Sequence, residues 1–190
     1  MSCLEACCCS TKHDDYSTPK DVWDNIKQFI PKDKVIWEIC YGNGTSGTHL
    51  KELGFNVVSL PVDLYQPTLQ MPRRSHDQWE EGDIIIVTDP PFSKCREVMA
   101  RLSKLDNPYM LIYPSGVSAN GRGWCSVYPK YSTNIIYDQM IIPKKRIQFI
   151  KNGNELPECN FDCVYYCYKM YLGESERGSV TGKVQTIWLK

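Results

Sequence analysis

Apolar residues recur at helical spacing in Val22, Ile26, Phe29 and Ile30. Ahead of them, Ser17-Thr18-Pro19 offers a capping hydroxyl and a proline at the first helical turn. Pro31 ends that helix. Residues 35–40 (VIWEIC) then read as a buried strand, Tyr41-Gly42-Asn43-Gly44 as a glycine loop, and 46–53 as a short helix stopped by Gly54. A strand resumes over 55–60, residues 61–82 are loop-rich, and 83–88 (DIIIVT) form a nearly continuous apolar run of the kind buried on both faces. Cys95, Val98, Met99, Leu102 and Leu105 mark another amphipathic helix, and 109–113 (YMLIY) another strand. Further strands are predicted at 134–137, 146–150 and 163–170 with no helix between them. The pattern therefore predicts an α/β fold whose sheet is mostly parallel with an antiparallel strand at its far edge.

The 190 residues fit one domain, placed at 16–190 behind a disordered, cysteine-rich tail over 1–15. With 42% hydrophobic and 23% charged residues the chain is neither a coiled coil nor a disordered polymer. The 22 basic residues cancel the 22 acidic ones, so any polyanion contact has to come from a local patch. The sequence holds no run of 18 apolar residues and no secretory signal, which predicts an intracellular protein, of cytoplasm or nucleus, without a membrane span. Several of the ten cysteines (Cys40, Cys163, Cys167) sit inside apolar strand-like runs and read as free, buried thiols rather than disulfide halves. Cys3, Cys7, Cys8 and Cys9 bunch in the tail, where acylation, metal capture or no structure at all are the readings.

Chemistry concentrates in two loops that follow strands, where an open α/β sheet places its ligands. In the first, Glu38 precedes Gly42-Asn43-Gly44, and glycines there either let the backbone approach a ligand or simply make a tight turn. The second, Asp89-Pro90-Pro91-Phe92, is more specific. Two prolines fix φ and remove two N–H donors, so the turn presents a carboxylate, free carbonyls and an aromatic ring.

These residues, in this order, resemble class I S-adenosylmethionine-dependent methyltransferases, specifically the adenine-N6 amino-methyltransferases of DNA in their small phage- and virus-type form. The resemblance covers roughly residues 16 to 170 and implies a Rossmann-like, doubly wound sheet. It implies that Asp89 and the Pro90 carbonyl accept the hydrogens of the target amine, that Pro91 stiffens the turn, and that Phe92 stacks on the flipped base. Around S-adenosylmethionine it places Tyr16, Thr18, Pro19, Glu38, Cys40, Tyr41, Gly42, Gly44 and Asp89. Asp63 is either a contact to the cofactor's adenosine or a solvated loop acid, because Ser59, Leu60 and Pro61 stand where the family has its acidic residue. No metal is called for, because the sulfonium carries the hard chemistry.

Partners follow from the same resemblance: nucleic acid, DNA ahead of RNA, with a protein partner to supply target recognition. Residues 115–133 form the remaining recognition candidate. Arg122, Trp124, Tyr128, Lys130 and Tyr131 interleave cations and aromatics there, suited to phosphate contact and stacking or to plain surface decoration. Lys144-Lys145-Arg146 reads as a solvated turn or a phosphate clamp. Methylation of RNA adenine stays open, as does a non-catalytic methyltransferase-like subunit that binds nucleic acid. Methylation of a protein glutamine is disfavoured, since aspartate accepts only and suits an NH₂ whose two hydrogens both need acceptors. Cys159, Cys163 and Cys167 lack the spacing of metal ligand pairs, and His13, His49 and His76 are scattered.

Overall fold

The computed structural model describes residues 16–59, 83–115, 137–151, 154–155, 162–172, 180–181 and 184–189. The tail over 1–15, Asp63 and the 61–82 loop, and the recognition candidates at 116–133 lie outside the described residues. Ten strands are present among them: β1 (Val35–Glu38), β2 (Asn56–Ser59), β3 (Ile84–Thr88), β4 (Tyr109–Pro114), β5 (Gln139–Ile142), β6 (Ile150–Lys151), β7 (Asn154–Glu155), β8 (Cys163–Tyr168), β9 (Val180–Thr181) and β10 (Val184–Trp188). Eight of them join one mixed sheet in the order β2-β1-β3-β4-β8-β5-β10-β9, and β6 and β7 pair as a separate ribbon. The α/β class is as expected from the alternation of strands and helices.

β1, β3 and β4 are buried at every position and apolar but for Glu38 and Thr88, which end β1 and β3, because helices cover both faces of this part of the sheet. Alternate side chains sort to opposite faces. Ile36, Ile85, Val87, Met110 and Ile112 pack with Val22 and Trp23 of α1 (Lys20–Asp24) and Leu50 of α2 (Thr45–Glu52). Trp37, Ile84, Ile86, Tyr109 and Leu111 pack with Val98, Met99 and Leu102 of α3 (Cys95–Leu105). Cys163 and Cys167 share one face of β8 with Tyr165, and none of the four described cysteines, Cys40, Cys95, Cys163 and Cys167, is in a disulfide. Among the described residues no helix is long and apolar enough to cross a membrane.

β1 pairs in parallel with β2 on one side and β3 on the other, and β3 with β4. The chain leaves β1 through α2 toward β2, and leaves β3 through α3 toward β4. The two crossovers run in opposite directions across opposite faces, so the sheet has its topological switch point between the carboxyl ends of β1 and β3.

The structure departs from the sequence reading in four places. The antiparallel strand is interior: β8 runs between β4 and β5 and against both, so β4 and β5 point the same way, and β10 continues parallel to β5. A shorter antiparallel strand, β9, does lie at the edge. The strand read at 134–137 falls partly outside the described residues, and the described strand, β5, begins two residues after Tyr137. Of 146–150, Ile150 alone enters a strand. Ile147 and Phe149 are buried alternately, which mimics the strand period without any ladder. Finally, the helix read from Pro19 to Ile30 is a five-residue α1 followed by a 3-10 turn, Lys27–Phe29, and no side chain caps its start. The hydroxyls that would cap it are used elsewhere.

Candidate active site

Thr18 is fully buried, and its hydroxyl donates to Asp89 Oδ2 at 2.5 Å instead of capping α1. Ser46, in the first turn of α2, donates to the same oxygen at 3.0 Å. Both side-chain donors converge on Oδ2, so Oδ1 of Asp89 carries no side-chain donor among the described residues. Burial pushes the Asp89 carboxyl up to about 6, against the two hydroxyls and its own backbone N–H, which favour the ionised form.

Glu38 ends β1 at 1% exposure. Its Oε1 accepts the Cys40 N–H and the Thr88 hydroxyl, both at 3.1 Å, and its Oε2 accepts the Ser59 hydroxyl at 2.7 Å. The Thr88 oxygen also accepts from the Cys40 N–H at 3.3 Å, which ties the ends of β1 and β3 together. Burial, then the negative charge of Asp89, raise the Glu38 carboxyl to about 7, with the three hydrogen bonds opposing. Two carboxylates thus lie close together at the switch point, Glu38 buried and Asp89 half-buried, and burial disfavours the charged form of each.

The loop between β1 and α2 is built by its glycines. Gly42 and Gly44 take positive φ, +52° and +79°. A Cβ on Gly44 would stand 2.8 Å from the Tyr41 hydroxyl, so Tyr41 folds over that glycine. Asn43 donates to the Ser17 hydroxyl at 2.7 Å and takes the Thr45 N–H at 3.0 Å, fastening the loop to the segment that carries Thr18. Gly47 lets α2 approach β2: a Cβ there would stand 2.9 Å from Ser59 Oγ and 3.7 Å from Glu38 Oε2.

After β3, the Pro91 carbonyl accepts the Lys94 N–H at 3.0 Å and the Tyr113 hydroxyl at 3.2 Å. That fixes the turn while the Pro90 carbonyl takes no donor among the described residues. Phe92 is partly buried between Tyr113 (centroids 5.4 Å) and Phe149 (5.9 Å, edge-on). Tyr16 extends the cluster, 6.1 Å from Phe149, with the Lys151 ammonium 5.0 Å over its ring.

The expected residues Thr18, Glu38, Cys40, Asp89, Pro90, Pro91 and Phe92 therefore meet at one end of the sheet, with Tyr41, Gly42 and Gly44 in the adjoining loop. Tyr16 joins through Phe149, and Pro19 begins α1. Sequence reasoning missed Ser46, Gly47, Ser59, Thr88 and Tyr113. Thr88 was within reach, as a lone hydroxyl closing an apolar strand just before Asp89; Ser46 and Ser59 have no local signal. Compared with protein-family models, curated proteins and solved structures, the chain matches none.

Proposed function

We propose that this protein is a class I, S-adenosylmethionine-dependent methyltransferase acting on the exocyclic N6 amine of adenine in DNA. One observation carries the reading: at the switch point, among the described residues, side chains donate to Asp89 only at Oδ2, and no donor reaches the Pro90 carbonyl beside it. Two acceptors on one rigid turn suit an NH₂ group, which needs both of its hydrogens received.

The residues present fit the cofactor. The buried Glu38 carboxylate, with its raised proton affinity, favours a cationic ligand, and the positive-φ glycines open the backbone of the β1–α2 loop. Glu38, the 41–44 loop and the Thr18 segment would hold it. When bound, S-adenosylmethionine supplies an electrophilic methyl on a sulfonium.

The chain's own task is to make a poor nucleophile reactive. The adenine amine's lone pair is delocalised into its ring. Hydrogen bonds from the amine to Asp89 Oδ1 and the Pro90 carbonyl hold nitrogen in line and return electron density to it. Methyl transfer would break the methyl–sulfur bond, whose electron pair stays on sulfur as a neutral thioether; the methylated nitrogen would then shed a proton, which the Asp89 carboxylate accepts and passes to water. Phe92 offers an aromatic wall for the extruded base, in a cluster with Tyr113 and Phe149, and stacking of about 1–3 kcal/mol offsets much of the extrusion cost.

The test is incubation with deuterated-methyl S-adenosylmethionine and separate unmodified DNA and RNA pools, followed by digestion to nucleosides and mass measurement. Labelled N6-methyladenine from DNA is expected, absent with Asp89→Ala. Label in RNA alone would replace the substrate, and no label in either pool would overturn the reading.

A further inference from the structure

A groove of about 1030 Å³ is lined by Pro19, the neighbour of Thr18 in the site, and by Lys144, Lys145 and Trp188. Its position follows from topology. β5 and β10 point the same way as β4, so the residues after Ile142 and at Trp188 lie along the sheet edge that carries Glu38 and Asp89. At the site end, Phe149 packs on Phe92 and directly follows Gln148, which lines the groove.

One wall of this groove is cationic. Lys144, Lys145 and Arg146 follow β5 in succession and are exposed. Arg146 is paired with Asp162 at 2.6 Å, whereas Lys144 and Lys145 have no ion-pair partner among the described residues. Of the two acids in the lining, Asp24 pairs with Lys27 at 2.8 Å, which leaves Asp21 as the other. Trp188, 58% exposed and in register with Ile142, two residues before Lys144, offers an indole to solvent in the same lining. In a chain with no net charge, unpaired cations and an exposed indole fall together on the edge that holds the site.

Resting on the methyltransferase reading, we propose that this groove is the track for a DNA single strand on its way to Asp89: Lys144 and Lys145 hold its phosphates and Trp188 stacks one of its bases. Phosphates recognise flexible ammonium groups without regard to sequence, and an indole stacks on any base whose face is free. A free base face is what a single strand has and a duplex lacks. The same strand can then deliver its adenine to Phe92 without paying to leave a stack.

The test is fluorescence anisotropy of the full chain with a labelled oligothymidylate of about 16 nucleotides, which contains no methyl-accepting adenine. The Lys144→Gln/Lys145→Gln variant is expected to bind about tenfold more weakly in about 0.1 M salt, with the slope of log affinity against log salt reduced by about 1.4. Trp188→Ala is expected to lose about tenfold and Trp188→Phe to recover most of it. All replaced side chains are exposed, and unchanged melting curves confirm folding. Wild-type affinity in the variants, no binding by the wild type, tighter binding of oligouridylate, or an equal loss on duplex DNA would each overturn the track. Because the probe accepts no methyl group, a failed track and a failed methyltransferase reading give different patterns. Variant-sensitive binding without methyl transfer leaves the track standing, and methyl transfer with variant-insensitive binding removes it.

Discussion

The two halves of the sheet are built on different principles. In β2-β1-β3-β4 all pairings are parallel, and the three strands inside are buried on both faces. In β8-β5-β10-β9 the direction reverses twice, β5 buries alternate residues, and β10 ends in an exposed tryptophan. The first half is a rigid mount on which Glu38 and Asp89 stay close in spite of their repulsion. β8 is covered on both faces like the first half, whereas β5 is half-exposed and the chain after it carries the cations, with the indole at the end of β10. The proposed chemistry sits on double-covered strands, and the proposed contact surface at the ends of β5 and β10.

The largest expected effect is at Asp89, the proposed acceptor of the amine. Asp89→Ala should lower methyl transfer by about 10³-fold, while S-adenosylmethionine affinity changes less than about threefold. Loss of both together would make Asp89 a structural residue and not the amine's acceptor.

Next comes the contrast in packing. Ile86→Ala, in β3 at 0% exposure, should cost about 2–5 kcal/mol in denaturant unfolding, whereas Met140→Ala on partly exposed β5 should cost about 1 kcal/mol. Equal losses would erase the distinction between the halves.

A smaller effect is expected where α2 meets β2. Gly47→Val puts side-chain carbons against Ser59 and Glu38, and overpacking of this kind costs about 1–3 kcal/mol. Cofactor affinity should fall with it, and unchanged affinity would separate Glu38 from the cofactor.

The smallest effect is in pH. The Asp89 carboxyl rises from its ordinary 3.8 to about 6 and that of Glu38 from 4.5 to about 7, so the folded state holds these protons more tightly than the unfolded chain. Their contribution to stability is full below the ordinary values and is lost as pH rises through about 6 and 7. Glu38→Gln should therefore flatten the decline in melting temperature between about pH 4.5 and pH 7. A decline as steep as in the wild type would contradict the Glu38 shift.

How much of this was legible follows the same division. β1, β3 and β4 announce themselves as continuous apolar runs, and Glu38 and Asp89 stand out because each closes such a run. In the far half the cues mislead. The 134–142 stretch holds two apolar clusters around Asp138, and the strand uses the second, with buried Gln139 accepting the Leu172 N–H at 3.0 Å. β10 was legible, since Val184, Thr186 and Trp188 alternate with other residues, yet it was not read. The interior placement of β8 depends on pairings that no local pattern encodes. The site was half legible for a related reason. Its carboxylates are local signals, but the hydroxyls that hold them come from 21, 43, 50 and 71 residues away. The 71-residue bond also explains the misread helix start, because Thr18 serves Asp89 in place of capping α1.

The central claim is that the carboxyl ends of β1 and β3 form a binding site for S-adenosylmethionine. Calorimetric titration of the full chain with that cofactor near neutral pH tests it most directly. The account predicts saturable binding with Kd on the order of micromolar, weakened by Glu38→Gln and nearly unchanged by Asp89→Ala. A flat titration at millimolar cofactor would contradict it.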